Sequence, residues 1–158
     1  MRLPGHNGVF WVIPIILGAG IAEKGGSATF VSLIGGTLIS FLGASDEGPF
    51  KIPEYVAMGI AIDMLALLFK AHMSNPLAGL IVGSLGNLAK LSVNYTVTLL
   101  LGVPANLIIA GLGFASVTHL VFGGLGGFFS ALILGRLVRI KPLQGVAFRG
   151  NDVKSASQ

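Results

Sequence analysis

The chain of 158 residues contains no cysteine, which excludes disulfides and thiolate metal sites from the start. Charge is scarce too. Asp, Glu, Lys and Arg make up 10% of the residues, against about 25% in soluble domains, so the chain does not read as a soluble globular protein. No basic, aromatic-interleaved patch is present, which argues against a nucleic-acid partner. The three histidines, His6, His72 and His119, lie on separate segments, with no His-x-x-x-His or Glu-x-x-His spacing. No metal site is expected from them. A nucleotide-binding loop, a zinc-protease motif and a Gly-x-Ser-x-Gly elbow are all missing, so neither an ATPase nor a hydrolase is indicated, and the expectation is a non-enzyme without a cofactor. The apolar runs do not alternate with period two, as a transmembrane barrel would require.

What the sequence has is apolar length and glycine: 53% hydrophobic residues and 24 glycines. Several apolar runs separated by short polar breaks predict an all-α integral membrane protein, multi-pass in the cell membrane and contacting lipid. The expected fold is a bundle of five transmembrane helices, with six as the alternative. Residues 1–143 form this one helical domain, and residues 144–158 read as a disordered cytoplasmic tail. The net charge of +4 comes mostly from Arg136, Arg139, Lys141, Arg149 and Lys154, as on a cytoplasmic membrane flank.

Residues 76–101 organise the chain. They are long enough as a helix, about 39 Å, to cross a bilayer with some tilt. Asn87, Lys90 and Asn94 fall on one face of that helix, above Gly83 and Gly79. A lysine near mid-membrane costs at least about 2.5–3.5 kcal/mol, so Lys90 should face a partner or a watery cavity. Two readings stay open: a buried ion pair that fixes the bundle, and a substrate or ion site. Asp63, at the middle of the third apolar run and at similar depth, is the candidate partner.

The remaining runs follow in order. Residues 9–22 carry Pro14, Gly18 and Gly20 and make a short or kinked span, or else the apolar core of a signal peptide. In residues 27–44, Ala28, Ser32, Gly36, Ser40 and Ala44 recur at every fourth position, which invites close helix packing. Residues 45–53 are an acidic loop and residues 54–69 a third span. After the break at Gly102-Val103-Pro104, the chain stays apolar to Val138. Two full spans would need more than 35 residues, so one final span near 117–138 is expected, preceded by a helical extension or a re-entrant piece. Gly123, Gly127, Ala131 and Gly135 form a second small-residue stripe there. His119 lies alone in this run, as a hydrogen-bonded structural residue or a ligand-binding one. Phe10, Trp11, Tyr55 and Tyr95 sit near likely span ends; they suit interfacial anchoring, or stacking on a flat heterocycle.

The turn Pro4-Gly5-His6-Asn7-Gly8 before Val9-Phe10-Trp11, the Gly/Ala-rich second span and the segment from His119 to Gly127 together resemble a known family. It is that of the substrate-binding S components of energy-coupling-factor (ECF) vitamin transporters, in particular the thiamine and thiamine-precursor group. The resemblance covers most of the chain up to about Leu137. It implies a substrate-capture subunit that binds a vitamin or precursor near the outer face, working with a transmembrane coupling subunit and ATPase subunits. It also implies six spans, one more than the five expected here, because the chain begins almost on the turn that follows the family's first helix. The expected substrate-binding residues are Trp11, Asp63, Asn87, Lys90, Asn94 and His119. The rivals are a structural or assembly subunit whose polar residues pair only with one another, and an ion-coupled carrier using Asp63 and Lys90.

Overall fold

The computed structural model describes residues 8–22, 24–42, 48–68 and 73–137. Among them there are five α-helices and no strand: α1 (Gly8–Ala22), α2 (Ser27–Phe41), α3 (Lys51–Leu68), α4 (Pro76–Leu100) and α5 (Ala105–Leu137). One 3-10 turn, Gly48–Phe50, leads directly into α3. The expected third span therefore starts a turn earlier, at Lys51 rather than Glu54. The expected tail at 144–158 and the Pro4-to-Asn7 turn lie outside the described residues.

Local chemistry sets the boundaries. The Asn75 side chain accepts a hydrogen bond from Leu77 N at 3.0 Å, and Pro76 occupies the first turn, where its missing N–H costs nothing. Gly102, at φ 87°, lets the chain leave α4, and Leu107 N donates to Pro104 O at 3.1 Å as α5 begins. The 33 residues of α5 then run unbroken, so residues 105–116 are a helical extension and not a re-entrant turn.

Two of the helices, Pro76–Leu100 and Ala105–Leu137, are long and apolar enough to cross a membrane. The helices α1 and α2 are apolar but have only 15 residues each, and the 18 residues of α3 include Lys51, Glu54 and Asp63. The outer surface carries large apolar side chains on every helix, among them Phe10, Phe30, Leu67, Leu77 and Ile109.

Glycine governs the packing. A Cβ on Gly127 would run into the Gly79 carbonyl, and one on Gly83 would meet Gly127 Cα at 2.9 Å, so α4 and α5 touch backbone to backbone. The small stripe of α2 faces α3: a Cβ on Gly59 would lie 2.6 Å from Ser32 Oγ, and one on Gly36 would lie 3.0 Å from Tyr55 Cβ. Ser32 and Gly36 of the first stripe and Gly123, Gly127 and Ala131 of the second thus lie in helix contacts, while Ala44 lies outside the described residues. Val12, Ile15, Ile16, Met58 and Ile62 form the centre of the core. The burial of Val12, Ile15 and Ile16 makes α1 an integral part of the bundle.

Contacts fix the relative directions. Gly126 lies against Val9 and Val12, the Ser130 hydroxyl reaches Ile13 O at 3.4 Å, and Gly20 meets Leu134, so α1 runs parallel to α5. The chain thus enters the described bundle at one end, Gly8, and leaves it at the other, Leu137.

Candidate functional site

At the end of the bundle where α1 and α3 begin, the side of α3 facing inward carries Glu54, Tyr55, Met58 and Ile62, all buried. Glu54 is 0% exposed. An ionised carboxylate in such a place must be paired and hydrogen-bonded. Both of its oxygens lie 3.1 Å from Lys51 Nζ, one turn earlier on the same helix, and Oε1 also accepts from Asn94 Nδ2 of α4 at 2.8 Å. This group closes the top of the α3–α4 contact.

Beside it, Lys90 Nζ sits 4.5 Å from the centre of the Tyr55 ring, and the Trp11 ring meets the same tyrosine edge-on, with centroids 5.5 Å apart. The negative face of an aromatic ring attracts a cation, which accounts for part of the lysine's accommodation. Tyr55 is buried in the bundle, and Trp11 is half-buried against it. One turn further in, Asn87 Nδ2 donates to His119 O at 2.8 Å, and His119 Nδ1 lies 2.8 Å from Ala115 O. Ser84 continues the seam by donating to Leu120 O at 2.8 Å.

The face of α4 that carries Asn87, Lys90 and Asn94 thus lies over the seam between its two neighbours. Asn87 bonds to α5, while Lys90 and Asn94 turn to α3. Five of the six expected site residues, Trp11, Asn87, Lys90, Asn94 and His119, gather in this one region.

Asp63 does not join them. Its carboxylate accepts from Ala28 N at 3.2 Å, Thr29 N at 2.9 Å and Thr29 Oγ1 at 2.6 Å. It caps the N-terminus of α2 from the neighbouring helix, satisfying donors that no intrahelical carbonyl can reach. The expected pairing of Asp63 with Lys90 is therefore not formed. The register explains this: Glu54 meets Asn94 and Ile62 meets Gly86, which sets Asp63 level with about residue 85 and about 7 Å from the level of Lys90 at 1.5 Å per residue.

Two residues escaped the sequence reading, Lys51 and Glu54. Glu54 stood at the assumed edge of a span and Lys51 in a loop. The signal was there: Glu54, Met58 and Ile62 share one helical face, and Lys51-x-x-Glu54 is an ion-pair spacing.

No group of three or more metal-ligating side chains occurs among the described residues. No family model, curated protein or solved structure matches the chain.

Proposed function

We propose that this chain is a membrane-embedded substrate-capture subunit that binds a small heterocyclic solute, a vitamin or its precursor, in an uptake transporter. One observation carries the reading: a fully buried glutamate, held by Lys51 and Asn94, stands next to a lysine lodged on a Trp–Tyr pair at one end of an otherwise apolar bundle. Polar and aromatic groups converging in an apolar setting are what a binding site for a flat polar solute requires. In this reading all five helices cross the bilayer of the cell membrane, the shorter α1 and α2 with local thinning of the lipid. Lys24 and Arg136, at the far end from Glu54, mark the cytoplasmic side, so the site opens outward. The subunit carries out no chemistry itself and relies on a transmembrane coupling subunit and ATPase subunits for energy.

A scaffold reading has one observation in its favour. Lys51, Glu54 and Asn94 bond to one another, as a structural network would. An Asp63/Lys90 ion relay has less support, since Asp63 is bound to α2. Thermal-shift measurements on detergent-purified protein against a vitamin panel, thiamine included, separate the two main readings. A ligand that binds the folded state at 100 times its Kd stabilises it by about 2.7 kcal/mol. Capture requires such a shift for at least one compound and its loss in Asn94→Ala; no shift with any compound favours the scaffold.

A further inference from the structure

The five helices meet in two different ways. Within the α2–α3 pair the contact is made by backbone: a Cβ on Gly59 would lie 2.6 Å from Thr29 Cα and 2.7 Å from Ala28 O. Asp63 ties the same two helices together through Ala28 N and Thr29 N. In the second group, α4 and α5 touch through the backbones of Gly79, Gly83, Gly123 and Gly127, and a Cβ on Gly126 of α5 would lie 2.9 Å from Val9 O of α1. Between the two groups the closest glycine contacts are side-chain ends. A Cβ on Gly86 of α4 would meet Ile62 Cγ1 of α3 at 2.7 Å, and one on Gly18 of α1 would meet Val31 Cγ2 of α2 at 2.7 Å. Side-chain ends can change rotamer and slide; glycine seated on backbone cannot.

The chain passes between the groups twice, from α1 to α2 through Lys24-Gly25-Gly26 and from α3 to α4 between Leu68 and Pro76. Both passages lie at the end away from Glu54. Gly26 has φ 88°, and neither Gly25 nor Gly26 has an atom within 4 Å of a Cβ position. Among the described residues, the polar and ring contacts that join the groups lie at the Glu54 end. They are Asn94 Nδ2 donating to Glu54 Oε1, Lys90 on the Tyr55 ring, and Trp11 edge-on to the same ring.

We propose that the bundle is a hinged clasp: α2–α3 and α1–α4–α5 turn as two bodies about the Gly25–Gly26 end, and the Glu54 end parts between α3 and α4. The chemistry of each end fits its part. Polar groups at the moving end exchange a protein partner for water when it opens, so they stay hydrogen-bonded at small net cost. The contacts nearer the hinge are apolar and are held by packing. A turn of about 10° about the far end of α3, 18 residues or about 27 Å long, moves its Lys51 end by about 5 Å. Opening of this kind would expose Glu54, which is fully buried in the closed arrangement. The device goes beyond the capture reading and does not depend on it, because a scaffold with the same hinge would open in the same way.

The test uses the full chain in lipid discs and needs no ligand. The chain has no cysteine, so spin labels attach only at introduced ones. Pulsed electron paramagnetic resonance measures distances between pairs of exposed positions. Phe50→Cys with Leu99→Cys spans the two bodies at the Glu54 end, and Leu67→Cys with Leu77→Cys spans them at the hinge end. Phe30→Cys with Ile60→Cys lies within one body, and Leu99→Cys with Leu107→Cys within the other. Adding Asn94→Ala should give the first pair a distance about 5 Å longer than in the parent, with the other pairs unchanged. If Asn94→Ala does not fold, Trp11→Leu, which removes the ring contact at the same end, takes its place and should act in the same direction. An unchanged distance between positions 50 and 99 overturns the clasp. Equal lengthening in the hinge-end pair or in either within-body pair also overturns it, because the bundle would then loosen as a whole.

Discussion

Asp63 and Glu54 stand nine residues apart on α3, which at about 100° per residue sets them on roughly opposite faces of the helix. That single count foretells their separate fates: Asp63 turns to α2 and Glu54 to α4. What it does not foretell is which neighbour lies on which side. Similar depth within each span points to an Asp63–Lys90 pair, and only the α3–α4 register, which the sequence does not carry, sets the two apart. The consequence is measurable. Asp63→Leu leaves the Ala28 and Thr29 donors without their acceptor, at about 1–3 kcal/mol each, and Asp63→Asn should lose less because one oxygen remains. In thermal or denaturant unfolding, Lys90→Met combined with Asp63→Leu should give the sum of the single effects within about 0.5 kcal/mol, since the two side chains share no partner. Recovery of stability in the double variant would mean that they pair after all. Glu54 behaves oppositely. Glu54→Leu leaves the Lys51 ammonium without its carboxylate and should cost about 3–5 kcal/mol at most, discounted for the partial exposure of Lys51. Adding Lys51→Met should restore part of that loss, and strict additivity would count against the ion pair.

The helices show how far a small-residue pattern can be trusted. The repeat of Ala28, Ser32 and Gly36 correctly marks the face of α2 that meets α3, and Gly123, Gly127 and Ala131 mark the face of α5 that meets α4. Periodicity reports such faces well, because close approach of two backbones demands a small residue on every turn. It fails at its ends: a Cβ on Gly135 would find only Ser74 O, at 3.7 Å. It is also blind to glycines that share the composition without the contact. Gly111 and Gly113, on the first part of α5, have nothing within 4 Å of a Cβ position, and their neighbours Leu107, Ile109, Leu112 and Phe114 are exposed. Gly127→Ala should therefore destabilise the detergent-solubilised protein by about 1–3 kcal/mol, because the added carbon is driven into the Gly79 backbone. Gly111→Ala and Gly113→Ala should be neutral or gain up to about 1 kcal/mol from helix propensity. Equal cost at all three positions would mean that α5 is packed along its whole length.

At the scale of the molecule, the sequence leaves the number of crossings to a length argument, because lysine and arginine, Lys90 within its span set aside, divide seven to two between the sides for five spans and for six. The unbroken helix from Ala105 to Leu137 leaves no hairpin within those residues. With α1 parallel to α5, Gly8 and Leu137 lie at opposite ends of the bundle. If the bundle crosses the bilayer as proposed, reporters placed ahead of Gly8 and after Leu137 should give opposite answers: an externally active enzyme at the Gly8 end, and a fluorescent or cytoplasm-restricted one at the Leu137 end. A cysteine-free chain makes the same test possible at single residues. Cysteine placed at Phe50, on the Glu54 side, should react with an impermeant maleimide in intact cells, and cysteine at Gly25, beside the start of α2, should react only after lysis. Reaction of both in intact cells would remove the membrane crossing itself, and the inverse pattern would turn the candidate site toward the cytoplasm, where it could not capture a solute from outside.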